Sequence, residues 1–94
     1  MAKVKIPYKT ENIIDRLVLE RQGKYRIEQA RDMSKKDIFE DMEKYTGIGW
    51  ESIKRISGGR AQPSLPVAMK IAEYFQKSVD DIFNLVDEKG EKDP

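Results

Sequence analysis

The chain has 94 residues, which suits one small domain, and it contains neither cysteine nor histidine. Disulfides and thiolate metal sites are therefore excluded, and the commonest metal ligand and the commonest general base are both missing, so the composition argues against an enzyme and against a resident metal or cofactor. The formal net charge is only +1, yet residues 80–94 hold six acids and two bases, or −4, so the residues before them carry +5.

An acidic end can thus hide a basic body from a whole-chain charge. Apolar runs are only a few residues long, too short for a membrane span. The lysine-bearing start, MAKVKIPYKT, lacks the apolar stretch of a secretory signal. A cytoplasmic protein is the expectation.

Residues 1–9 alternate Lys3, Lys5 and Lys9 with Val4, Ile6 and Tyr8. A short strand or a basic arm fits this pattern; Pro7 disfavours a central strand, and a flexible arm is the preferred reading. A first helix is predicted over 12–22, capped by Thr10 or Asn12, with Ile14, Leu17 and Val18 at helical spacing and Gly23 as its stop. Ile27, Ala30 and Met33 recur at steps of three, as in a short helix. Ile38, Phe39, Met42 and Tyr45 continue the period, with Asp37 and Glu40 as a capping box that favours a start near Ile38. Whether residues 25–45 form one bent helix or two stays open.

Thr46-Gly47-Ile48-Gly49 is a turn, and residues 50–57 resume helical character with Ile53 and Ile56 inward. Gly58-Gly59 ends that helix after about two turns, too few to be stable without neighbours. Ser64 caps the next helix and Pro66 sits in its first turn, where a missing N–H does no harm. Leu65, Ala68, Ile71, Ala72 and Phe75, widened by Val67 and Met69, give it a broad apolar face. Ser78 with Asp81 makes a second capping box, and Val79, Ile82, Phe83 and Val86 follow at i, i+3, i+4 and i+7. The remaining residues, 87–94, read as an acidic disordered tail. The layout is all-α: a small bundle of about five helices over 10–86, between the arm and the tail.

Residues 47–83 resemble the phage-repressor, Cro-like (XRE-type) helix-turn-helix family. Gly47-Ile48 fits the turn, Ile53 and Ile56 the buried positions of the recognition helix, and Gly59-Arg60 with Pro63-Ser64-Leu65 the connector. Ala68, Lys70-Ile71-Ala72 and then Ser78-Val79-Asp80-Asp81-Ile82-Phe83 are similar to the last two helices. Several positions depart from the pattern. Glu43 stands where the family usually has a small residue, Gly49 where it has Ser or Thr, and Gln76-Lys77 where it has a glycine before the last helix.

The resemblance implies a lambda-repressor-like helix-turn-helix DNA-binding domain whose helix at about 49–57 enters the major groove of double-stranded DNA. It implies Gly49, Trp50, Glu51, Lys54 and Arg55 as base readers. Chemistry suits each: Arg55, and less selectively Lys54, for guanine or phosphate, Glu51 for cytosine N4, Trp50 for a thymine methyl or a sugar edge. Trp50 fits a place over the core edge equally well. Ser52 and Arg60 are candidate phosphate contacts, as are Lys35 and Lys36 just before the second helix of the motif. Glu51 is also spaced to pair with Arg55 at i, i+4.

The expected protein is a transcriptional regulator of the phage or mobile-element repressor kind, acting as a homodimer at least on DNA. Its apolar surface for self-association is sought at Ile13, Ile14, Val18 and Leu19, or at Leu85 and Val86. The competing expectation is a helix-turn-helix fold that holds a protein partner, as an antirepressor or antitoxin-like inhibitor would.

Overall fold

The structure is a computed structural model that describes residues 7–87. In chain order it runs β1 (Tyr8–Asn12), α1 (Ile14–Gln29), α2 (Lys35–Thr46), α3 (Trp50–Ser57), α4 (Leu65–Phe75), α5 (Val79–Ile82) and β2 (Phe83–Asp87). Five helices were expected; the sheet was not, so the fold is mostly helical rather than all-α. None of the helices among the described residues is long and apolar enough to cross a membrane.

β1 and β2 pair antiparallel, from Tyr8 opposite Asp87 to Asn12 opposite Phe83. Tyr8 and Lys9, assigned to the arm, open β1, whereas Lys3 and Lys5 lie outside the described residues. Pro7 immediately precedes the strand, where no ladder N–H is required of it. The apolar spacing read as one helix to Val86 divides in two: α5 stops after four residues, and Phe83 is already extended at φ −113°, ψ 130°. Phe83 and Val86 are still buried, but from a strand. Ile13 N–H donates to the Ile82 carbonyl at 3.1 Å and ties the start of α1 to the end of α5. Asp87 closes β2; the rest of the expected acidic tail, 88–94, lies outside the described residues.

α1 runs through Gly23 and ends seven residues later than predicted, at Ala30, which takes the left-handed conformation (φ 51°). Glycine permits a stop without demanding one, and the good helix formers around it carry the helix on. Residues 25–29 are thus the last turn of α1, residues 30–34 are a connection, and α2 is a separate helix. Ile27, Ala30 and Met33 do not share one apolar face: Ile27 is 85% exposed, whereas Met33 packs against the core. Neither of the two caps considered for α1 is its N-cap, which is Ile13 without a side-chain bond; Asn12, one residue before it, accepts from Ile14 N–H through its Oδ1 at 3.0 Å.

α2 begins three residues earlier than the Asp37–Glu40 box implied. Ser34 is the N-cap, its Oγ accepting from Asp37 N–H (3.0 Å) while Asp37 Oδ2 accepts from Ser34 N–H (2.9 Å). The Ser34 backbone N–H first, and the Ser34 hydroxyl second, hold the Asp37 carboxyl below the usual carboxylate range. α3, α4 and the caps at Ser64 and Ser78 fall where the sequence places them.

The helices close on one apolar core. Ile14 and Val18 of α1, Ile38 and Met42 of α2, Ile53 of α3, Ile71 of α4 and Ile82 of α5 are all fully buried. α4 supplies Ala68, Ile71, Ala72, Tyr74 and Phe75, its small residues allowing close approach; Leu65 (67% exposed) and Met69 lie on its outer side, so its apolar face is narrower than predicted. Tyr74 OH donates to Asp41 Oδ2 at 2.7 Å, and the Arg21 guanidinium lies 4.7 Å from its ring centre. Burial first, and then the Asp41 carboxylate, push the Tyr74 phenol well above its ordinary range.

Candidate nucleic-acid interface

The eight residues of α3 are held at four places, which explains how so short a helix persists. Its inner face inserts Ile53 and Ile56 into the core, with Ile48 packed beside them. Its C-terminal end is tied to the start of the chain: Asn12 Nδ2 donates to the Ile56 carbonyl at 2.8 Å. The connector beyond it is pinned by Gln62, whose Oε1 accepts from Thr10 N–H (2.6 Å) and Thr10 Oγ1 (2.9 Å) while its Nε2 donates to the Thr10 carbonyl (3.2 Å). The strand thus supports the end of the helix and the connector that follows it.

The turn ahead of α3 leaves few backbone groups unserved. Gly47 takes φ 77°, open to glycine at little cost, and donates to the Glu43 carbonyl at 2.8 Å. Thr46 Oγ1 donates to the Met42 carbonyl (2.7 Å) and accepts from Ile48 N–H (3.1 Å). Trp50 N–H donates to Glu43 Oε1 at 3.2 Å. Gly59, at φ 78°, makes the exit turn, and Arg60 N–H closes on the Arg55 carbonyl at 2.9 Å.

The outer face of α3 carries Glu51, Ser52, Lys54 and Arg55, all exposed, with exposed Gly49 and Arg60 at its two ends. Among the described residues none of Glu51, Lys54, Arg55 and Arg60 is in an ion pair, so the Glu51–Arg55 pair allowed by spacing is not made. Trp50 is half-buried: its ring packs against the core edge, and Lys36 Nζ lies 5.3 Å from the ring centre. Lys36 therefore stands at the start of α3, as a flanking contact requires. Lys35 does not; its Nζ is 3.2 Å from Asp15 Oδ1 on α1, a half-exposed pair that holds α2 to α1.

Sequence reasoning placed Gly49, Trp50, Glu51, Ser52, Lys54, Arg55 and Arg60 on or beside one short helix, where the structure has all of them exposed except the half-buried Trp50. It missed the residues that hold that surface in place: Asn12, Glu43, Thr46 and Gln62. The Asn12 and Gln62 bonds join positions 44 and 52 residues apart, and no local pattern signals them. Thr46 and Glu43 act within a few residues of their partners, and their polar character at the end of an apolar period was the available sign.

A family profile described as a Cro/C1-type HTH DNA-binding domain matches residues 26–88. The chain is also 38% identical, over 50 residues, to an uncharacterized HTH-type transcriptional regulator of Methanocaldococcus jannaschii, a stretch covering 53% of this chain and 76% of that protein. No solved structure matches the chain.

Proposed function

The chain belongs to the Cro/C1-type helix-turn-helix DNA-binding family, and from that premise we propose that it is a sequence-specific transcriptional regulator that reads double-stranded DNA with α3. The observation that carries this reading is the outer face of α3: Lys54 and Arg55 exposed and free of ion pairs among the described residues, on a helix anchored along its whole inner side. Free cations on a rigid element meet the two needs of groove reading, charge for the phosphates and fixed geometry for the bases. In this reading Arg55 and Lys54 take guanine or phosphate, Glu51 accepts from cytosine, and Trp50 borders a thymine methyl or a sugar. Ser52, Arg60 and Lys36 hold phosphates, and Lys35 joins only by leaving Asp15.

A single module of this size holds DNA weakly, so operator choice needs two copies on half-sites about 34–36 Å apart. The surface for self-association is narrower than the sequence suggested. Ile14, Val18 and Val86 are buried and Ile13 packs against the core, which leaves Leu19 and Leu85, each 51% exposed, as its apolar points. The sequence resemblance supports a repressor or Cro-like switch of a phage or mobile element as the setting, and a cytoplasmic location follows from that role.

Titration of duplex DNA at several salt concentrations tests the proposal, with the fluorescence of the single tryptophan as the signal. Binding is expected to weaken steeply with salt, and the Lys54→Ala, Arg55→Ala double variant to show a salt slope shallower by about 1–2. Absence of binding even at about 50 mM salt, with a protein partner recovered instead, would establish the competing reading.

A further inference from the structure

We infer that Glu43 is a positioning residue for DNA reading: a carboxylate on α2 that caps α3 from outside and sets the angle at which its outer face is offered. The inference rests on the proposed function, since it concerns how that face is aimed.

α3 starts without a cap of its own. Gly49 occupies the N-cap position and has no side chain to accept from the first-turn N–H groups. The sequence departs from the family pattern at Gly49 and at Glu43, and the structure joins the two departures. Glu43 Oε1 accepts from Trp50 N–H at 3.2 Å, across seven residues of chain. The bond is charge-assisted, and the carboxylate faces the positive end of the helix dipole, so both effects favour it.

Two further contacts make the arrangement directional. The carbonyl of the same Glu43 accepts from Gly47 N–H at 2.8 Å. One residue of α2 therefore fixes both sides of the turn, the exit of α2 by its backbone and the entry of α3 by its side chain. Lys36 lies seven residues earlier on α2, two turns away on the same face, and its ammonium sits over the Trp50 ring at 5.3 Å. Trp50 is thus gripped twice from α2, at its ring and at its backbone. The first residue of α3 cannot rotate without breaking one of these contacts.

The sign of the effect separates this role from simple electrostatics. A carboxylate beside a DNA-facing surface repels phosphate, so its removal should strengthen binding if charge were its only influence. As a positioning residue its removal should weaken binding. Gly49 offers an independent rescue: it has φ −54°, and a Cβ built there meets nothing within 4 Å, so serine fits and supplies the cap from within.

The test compares wild type, Glu43→Ala, Glu43→Gln and the double variant Glu43→Ala, Gly49→Ser. The probe is a duplex selected by the wild-type protein from random-sequence DNA. Hydrogen exchange of the Trp50 amide is read alongside, with the Ile53 amide, bonded to the Gly49 carbonyl at 3.1 Å, as the internal reference. Glu43→Ala is expected to weaken binding about tenfold and to speed Trp50 exchange relative to Ile53. Glu43→Gln, which keeps an acceptor, is expected to recover most of both; the double variant, whose serine accepts from the N–H of Glu51 or Ser52 rather than of Trp50, is expected to recover the affinity while Trp50 exchange stays fast.

Tighter binding by Glu43→Ala and Glu43→Gln alike, or an unchanged Trp50 amide, would overturn the inference. So would faster Trp50 exchange with unchanged DNA affinity. Failure of the wild-type protein to bind any duplex would count against the DNA-reading function, while the exchange comparison would still decide whether Glu43 caps α3.

Discussion

Gln76 shows how a single position can carry strain that the surrounding fold tolerates. It ends α4 in the left-handed conformation at φ 56°, with its N–H directed to the Ala72 and Glu73 carbonyls, where glycine would sit without steric penalty. Gln76→Gly is expected to raise stability by roughly 0.5–1 kcal/mol in urea unfolding, the relief of strain exceeding the added freedom of the unfolded chain. A loss of stability would mean that the Gln76 side chain does something its contacts do not reveal. At this scale the sequence was legible where chemistry acts alone and illegible where a partner decides. Exposed Lys54 and Arg55 follow from helical period. The pairing of Lys35 with Asp15 does not, because the two stand on different helices, 20 residues apart. Trp50 had two readings from sequence, core edge or interface; its half-buried ring touches the core at one side and Lys36 at the other.

The helices owe their ends to short polar signals, and most of those could be read in advance. Ser64 and Ser78 cap α4 and α5 as predicted, and α3 spans the predicted Trp50–Ser57. Gly23 misled because a glycine inside a helix lowers its stability by only about 1 kcal/mol relative to alanine, which neighbouring residues can offset. The strands were hidden for a different reason: β1 needs β2, and the two lie at opposite ends of the described chain. Apolar residues at 79, 82, 83 and 86 satisfy a helical period even though the last two belong to a strand.

The two capping boxes also give the fold a definite response to acid. Asp37 and Asp81 are each held below the ordinary carboxylate range, first by the backbone N–H and then by the hydroxyl of the capping serine. A carboxyl whose folded pKa is depressed contributes fully above about pH 4 and loses that contribution as the pH falls through the folded value. The Asp37→Asn, Asp81→Asn variant should therefore be less stable than wild type at neutral pH, and the difference should close on acidification. Urea midpoints measured from pH 7 downward check this; parallel curves for the two proteins would contradict it.

Taken whole, the molecule is a small core in which several tertiary polar bonds converge on the placement of one helix. α2 holds α3 through Glu43, Thr46 and Lys36, the first strand holds it through Asn12, and the connector after it is fastened by Gln62. Sequence revealed the presented helix and its apolar anchors, because both are local patterns. It did not reveal the bracing, because tertiary hydrogen bonds leave no period. The claim at the centre of this account is that the braced helix distinguishes one DNA sequence from another through its free cationic side. Selection from random-sequence duplex DNA, carried out in parallel with wild type and Arg55→Ala, tests it most directly. The account predicts that wild type enriches a common motif and that Arg55→Ala relaxes the preference at one position of it, a loss of about 1–3 kcal/mol of discrimination there. Recovery of the same motif by both proteins, or of no motif by either, would contradict it.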